Sequence, residues 1–169
     1  VRDGDDWIQQ AKLTADDGGE NDQFGFSSSI SGDYAIVGAF ADDDDADFSG
    51  SAYIFVRNGD DWTQQAKLTA EDADDDDRFG TSVSISGHNA IVGAHTDNDD
   101  GNNSGSAYIF SLDDGEWIQQ AKLTAEDADE QDHFGYSSSI SGDHAIVGAH
   151  ANDDDGGQSG SAYIFSLED

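Results

Sequence analysis

Residues 79–110 read F-G-T-S-V-S-I-S-G-H-N-A-I-V-G-A-H-T-D-N-D-D-G-N-N-S-G-S-A-Y-I-F. Three strands are legible in this stretch. From Phe79 to Ser86, Val83 and Ile85 alternate with serines, the mark of a strand with one buried face. A tight turn at Gly87-His88-Asn89 follows. Ala90 to His95 is nearly continuously apolar, as expected of a strand buried on both faces. A polar loop, Thr96 to Gly105, leads into the third strand, Ser106 to Leu112. Beyond it, Asp113-Asp114-Gly115-Glu116 contains a D-G pair, a strong hairpin signal, and Trp117 to Ala125 makes a fourth strand. The chain has no proline and no long helical period. The class is all-β.

The same pattern is written three times at a spacing of 55 residues, without insertion or deletion. Trp7, Trp62 and Trp117 each open W-[IT]-Q-Q-A-K-L-T-A. Phe24-Gly25, Phe79-Gly80 and Phe134-Gly135 recur, as do A-I-V-G-A (Ala35, Ala90 and Ala145 onward) and S-G-S-A-Y-I-F (Ser49, Ser104 and Ser159 onward). A fixed period of this size means one supersecondary unit repeated. The repeats are 1–55, 56–110 and 111–165, within a single module spanning 1–169. Four antiparallel strands per repeat, with repeats side by side, describe the blades of a β-propeller. Gly38-Ala39, Gly93-Ala94 and Gly148-Ala149 are expected at the axis or the blade contact. The three Phe-Gly phenylalanines and the tryptophans are expected between blades. A β-trefoil, also three repeats of four strands, is the structural rival.

Composition narrows function. The 169 residues carry 38 acids against 6 Lys plus Arg, a formal net charge of −32. Such charge usually reads as disorder. Here, however, the acids are absent from the apolar runs and crowd the segments between them. Nucleic acid and anionic lipid are excluded as partners, since both need a basic surface. There is no cysteine for a disulfide or thiolate site, and no apolar run approaches the about 18 residues of a membrane span. The chain starts inside a repeat, so the lack of a visible leader carries no information. High-salt surroundings account for the global charge, because screening there shortens self-repulsion to about 3 Å near 1 M.

The joint pattern F-G-x-S-x-S-I-S-G, A-I-V-G-A and G-S-A-Y-I-F resembles the FG-GAP repeat, which builds the propeller of integrin α-subunits and of many secreted microbial proteins. The resemblance covers all three copies and is closest to the bacterial and archaeal form with W-x-Q-Q-A-K-L-T-A as its final strand. It implies an extracellular or cell-surface, noncatalytic propeller used in adhesion or ligand binding. Two departures limit the transfer. The integrin-type calcium loop D-x-D-x-D-G is replaced by the short turns Gly32-Asp33-Tyr34, Gly87-His88-Asn89 and Gly142-Asp143-His144. The proline of the name is replaced by Phe40, His95 and His150.

Blade number and phase point to assembly. Propellers close with about four or more blades, and three are present. The chain starts on strand four (Trp7 to Ala15) and ends on strand three (Ser161 to Leu167). The N-terminal strand 7–15 is therefore expected to complete the last blade of a partner chain, so that a homodimer closes a six-bladed ring. The plainer alternative is three blades of a larger propeller.

Strand order also assigns the loops. Connections from strand four to one and from strand two to three share a face, and 26 of the 38 acids fall there. Asp17, Asp72 and Asp127 follow the L-T-A run. Asp22, Asp77 and Asp132 lie two residues before each FG phenylalanine. Asp44-Asp45, Asp99-Asp100 and Asp154-Asp155 occupy the other loop. Hard cations such as Ca²⁺ take 6–8 oxygen ligands, so these acids are candidate ligands for one calcium ion per blade. The plainer reading is a solvated acidic rim, with Asp22, Asp77 and Asp132 accepting backbone N–H bonds in their turns.

The five histidines do not align as a set and are not expected to form a cluster, and His133 reads as a surface residue. The serine ladders (Ser27, Ser29, Ser82, Ser84, Ser137, Ser139) read as small polar packing rather than nucleophiles. Lys12, Lys67 and Lys122 are expected to counter neighbouring acids and discourage edge pairing. Near-identical blades argue against an enzyme. The leading expectation is a binding or adhesion module meeting a protein or glycan through its acidic loop face. Next come a purely structural self-assembling array and, third, a hydrolase at the central channel. Phe26, Tyr34, Phe40, Phe48, Arg78, His133 and Tyr136 differ between copies and mark where a ligand would be read.

Overall fold

The apolar runs become antiparallel ladders in each copy. A computed structural model describes residues 2–3 and 6–167, and among them there is no helix. A short hairpin, β1 (Arg2–Asp3) and β2 (Asp6–Trp7), stands first. Blade one holds β3 (Ser27–Ser31), β4 (Tyr34–Ala39), β5 (Ser51–Asn58) and β6 (Asp61–Leu68). Blade two holds β7 (Ser82–Ser86), β8 (Asn89–Ala94), β9 (Ser106–Asp113) and β10 (Glu116–Leu123). Blade three holds β11 (Phe134–Ser141), β12 (His144–Ala149) and β13 (Ser161–Ser166). Each sheet is a meander in chain order, four-stranded in blades one and two and three-stranded in blade three. Three separate sheets side by side are propeller blades, not the shared barrel of a trefoil.

The local chemistry follows the pattern. Asp114 and Gly115 both take positive φ (47° and 90°), the backbone that a two-residue I′ hairpin needs. The Q-Q doublet of each final strand is a β-bulge: the ladder steps from Gln119 to Ala121 and from Gln64 to Ala66. The extra residues, Gln120 and Gln65, are thereby turned out of register. Gln65 uses this to accept the indole N–H of Trp117 in the next blade at 3.2 Å.

The core lies between blades. Ile36, Ala52, Ile54 and Leu68 of blade one pack with Phe79, Val83, Ile85, Val92 and Tyr108 of blade two. Ile91, Ala107 and Ala125 of blade two pack with Phe134, Ile140, Ala145 and Val147 of blade three. Phe79 and Phe134 are fully buried, each contributing about 1.5–3 kcal/mol by leaving water. Of the innermost strands, β7 lies against both β3 and β11. The serines stitch them together. Ser27 and Ser82 hydroxyls donate to the Gly80 and Gly135 carbonyls at 2.7 and 2.9 Å. Ser29 and Ser84 accept the Ile85 and Ile140 amides. The glycines permit the approach: a Cβ on Gly38 or Gly93 would collide with the Gly80 or Gly135 carbonyl oxygen of the next blade.

One strand departs from expectation. Trp7 to Ala15 should be a fourth strand, yet only Asp6–Trp7 is β-structure, and it pairs with Arg2–Asp3. Residues 8–15 pair with no strand among the described residues. They still cover blade one: Leu13 and Ala15, with Phe24, pack on the cluster of Val37, Tyr53 and Phe55.

Candidate functional site

The acidic loops meet at the outer strands, and what gathers them is lysine. In blade one, the Lys67 ammonium lies 3.0 Å from Asp17, 3.2 Å from Asp42 and 2.5 Å from Asp44. In blade two, Lys122 lies 2.7 Å from Asp72, 2.9 Å from Asp97 and 2.5 Å from Asp99. The two loop classes do converge on one face, as strand order predicts. Beneath each ammonium is a tyrosine ring, Tyr53 at 5.5 Å and Tyr108 at 5.3 Å. Their hydroxyls donate to Asp42 and Asp97, each at 2.8 Å.

Charge states follow from this packing. Burial works against both ammonium groups, but the surrounding carboxylates outweigh it and hold Lys67 and Lys122 above the ordinary lysine range. Partial burial raises Asp17 and Asp72, and the hydrogen bonds from Lys67 and Lys122 more than reverse it, leaving both below the usual value. Burial first, then Asp42 and Asp97, push Tyr53 and Tyr108 up, so both stay hydroxyl donors.

The predicted ligands therefore divide. Asp17, Asp44, Asp72 and Asp99 belong to the lysine-filled clusters. Asp72, Asp97 and Asp99 lie close enough together to hold a cation, and the cation they hold is the Lys122 ammonium. Asp22, Asp77 and Asp132 are buried turn acceptors, taking the backbone N–H of Gly19, Asp74 and Asp129. Burial, with Asp97 and Asp74 nearby, lifts Asp77 to about 6. Asp45, Asp100 and Asp155 are exposed and outside the clusters.

In blade three, Asp127 and Asp154 stand where the other two carboxylate pairs stand, yet no lysine enters between them among the described residues. Asn152 replaces the buried aspartate, donating to Asp132 at 3.2 Å and accepting from Ser161 at 2.8 Å. The Tyr163 hydroxyl is buried there without a hydrogen-bond partner. Asp42 and Asp97 are missing from the sequence-based ligand set because this Asn152 breaks their recurrence.

A second group of side chains lies at the inner end of the same loops. Phe26 packs edge-on to Phe40 at 4.5 Å. Two blades on, Tyr136 and His150 occupy the matching positions, with ring centroids 4.2 Å apart. His133 stacks on His150 at 5.4 Å and lies 5.6 Å from His95. His95, His133 and His150 thus do cluster, contrary to the expectation from their alignment, and His133 is half-buried rather than a plain surface residue. The reason is topological: the residue before each FG and the residue after each GA become neighbours across the blade gap. The backbone at Gln23, Arg78 and His133 is left-handed in all three copies, each with φ 57°, a conformation that side-chain identity does not announce.

Phe79-Gly80 and Phe134-Gly135 thus each bury a ring and lay a carbonyl against the preceding blade's GA glycine. The pattern of the FG-GAP repeat matches residues 7–55, 62–110 and 117–165. The chain belongs to the FG-GAP repeat family. No curated protein matches it. In this FG-GAP chain the position of the proline is taken by Phe40, His95 and His150, the residues that build the inner aromatic and imidazole strip.

Burial first, then the positive fields of His133, Arg78 and His150, hold His95 down at about 4. Its folded pKa lies below the unfolded value of about 6.5, so its neutral form supports the fold above that pH. The support is lost as pH falls from 6.5 towards 4. Asp77, whose pKa is raised, acts in the opposite sense below about 6. His95→Phe, which copies the Phe40 solution of blade one, is expected to remove the histidine contribution alone. Melting curves of both proteins should converge at pH 7 and separate progressively towards pH 4, with the variant the more stable.

Proposed function

We propose that this FG-GAP module is a noncatalytic binding or adhesion domain of a secreted or surface protein, adapted to high salt, which meets a protein or glycan on its acidic loop face. The observation that carries the reading is where the copies differ. The framework is nearly invariant, while Phe26, Phe40, Arg78, His133 and Tyr136 vary and gather along the inner end of that face. Phe26 and Tyr136 are about half exposed (57% and 49%). Exposed rings beside acceptor-rich loops suit sugar faces and mixed polar–apolar protein surfaces.

Calcium is a proposed adjunct rather than a requirement. In blades one and two it would have to displace the ammonium that already fills the cluster.

A glycan and protein array, probed at about 1 M salt where the Debye length is about 3 Å, tests the reading. A ligand that binds the wild-type chain and loses at least tenfold affinity, about 1.4 kcal/mol, in Phe40→Ala or Tyr136→Ala supports it. A ligand indifferent to both substitutions sinks it.

A further inference from the structure

We propose that the open side of blade three is a socket for residues 7–15 of a second copy, so that two chains close into one six-bladed ring. The observation behind this is a gap with a definite shape. In blades one and two, β5 and β9 are each flanked by a further strand; among the described residues β13 is paired only with β12. Beside it runs a groove of about 320 Å³ between blades two and three. At the equivalent place one blade earlier sits Trp117, against the Tyr34 ring at 6.0 Å, with its indole N–H on the bulged Gln65. Fifty-five residues on from Tyr34 and Gln65 are Asn89 and Gln120, and both line the groove. The groove has the walls of an indole site.

Trp7 is the residue that fits. It opens the same W-x-Q-Q-A-K-L-T-A run and is 86% exposed. The β5–β6 and β9–β10 registers, carried forward, pair Leu13 with Ala162, Lys12 with Tyr163 and Trp7 with Leu167. That register sets the exposed Lys12 over the Tyr163 ring between Asp127 and Asp154, the two carboxylates without a lysine. Apolar faces match as well. Ile30 on the leading side of blade one is 66% exposed, against 4% and 9% for its equivalents Ile85 and Ile140. Ile146 and Ile164 on the trailing side of blade three are 44% and 72% exposed, while Ile36, Ile91 and Ile54 are fully buried.

The N-terminal segment already stands ready for this. Its Gln10 accepts the Trp62 indole N–H, and its Asp16 amide donates to Gln64. These reproduce the Gln65–Trp117 and Glu71–Gln119 bonds between blades one and two. Residues 8–16 therefore occupy the place of the outer strand of a blade that precedes blade one. Seating a partner's blade three there forms the ladder, the ion pair and the isoleucine contact together, and a two-fold axis repeats them.

The 169-residue chain, measured by sedimentation and native mass spectrometry at about 1 M salt, is expected at twice the 17.9 kDa of one chain. Gly148→Ala is the sharpest variant. The nearest atoms to its added Cβ within the chain are those of Ser137, the rotatable hydroxyl first, but in the ring it would meet a partner carbonyl, as Gly38 and Gly93 meet Gly80 and Gly135. It should leave the circular dichroism of the chain intact and abolish the dimer. Lys12→Glu should weaken the dimer at least tenfold, and Asp154→Lys in the same chain should restore it. A folded wild-type monomer, a larger open polymer, or a dimer unmoved by Gly148→Ala and Lys12→Glu would each overturn the proposal.

Discussion

Gly93→Ala is expected to lower the melting temperature by about 6–12 °C. The position has no left-handed backbone to defend, so the cost is steric. A Cβ there collides with the Gly135 carbonyl oxygen and the Ser82 hydroxyl. The hydroxyl can rotate, but it donates to that same carbonyl, and a backbone oxygen pinned by the Phe134–Ser104 and Phe134–Gly105 approach cannot retreat. Overpacking costs about 3 kcal/mol at the upper end of its usual range, and each kcal/mol moves the transition of a chain this long by about 2–4 °C. Gly157→Ala, where an added Cβ meets nothing within 4 Å, should leave the transition in place. Differential scanning calorimetry of the two variants checks this. Equal, small shifts would mean that the blades are not held at the glycine contact.

Lys122→Met is expected to destabilise blade two by about 3 kcal/mol, the lower end of the range for removing one partner from a buried pair. Three carboxylates would then face one another without a counter-charge, one of them, Asp97, nearly inaccessible. The variant should also gain a calcium response at this cluster. Calcium at constant ionic strength should raise its melting temperature, because Asp72, Asp97 and Asp99 are close enough to share one ion once the ammonium is gone. Thermal unfolding with calcium against sodium reads both effects. A variant as stable as the wild type would show that the lysine is a bystander, and one deaf to calcium would show that the carboxylates disperse.

The blade was legible because its physics is local and repeated. Alternation in S-V-S-I-S, the unbroken A-I-V-G-A and the D-G turn each report a backbone state within a few residues, and three copies remove accident. The glycine and serine roles were legible as far as close packing, since small residues at fixed places have few other uses. The site was less so, for two physical reasons. Asp42 and Asp97 act as buried acceptors only because Tyr53 and Tyr108 stand beneath them, a pairing between strands that no spacing displays. The ring cluster of His95, His133 and His150 joins residues from different blades, and its members do not share one alignment column. Residues 8–15 carry a strand's sequence without a strand's ladder, because hydrogen bonding needs a neighbour that periodicity cannot supply.

The close approach of Gly38 to Gly80 and of Gly93 to Gly135 has a consequence for geometry at larger scale. With no side chain between them, two sheets can differ in direction only by what the backbones themselves allow, so each contact works as an angular gauge. Since both contacts have the same atoms at nearly the same separations, the turn from one blade to the next is a constant of the repeat. The sweep of a blade array is thus metered in steps at the glycines, and a lineage that lengthened or shortened the array would change the number of steps without changing their size.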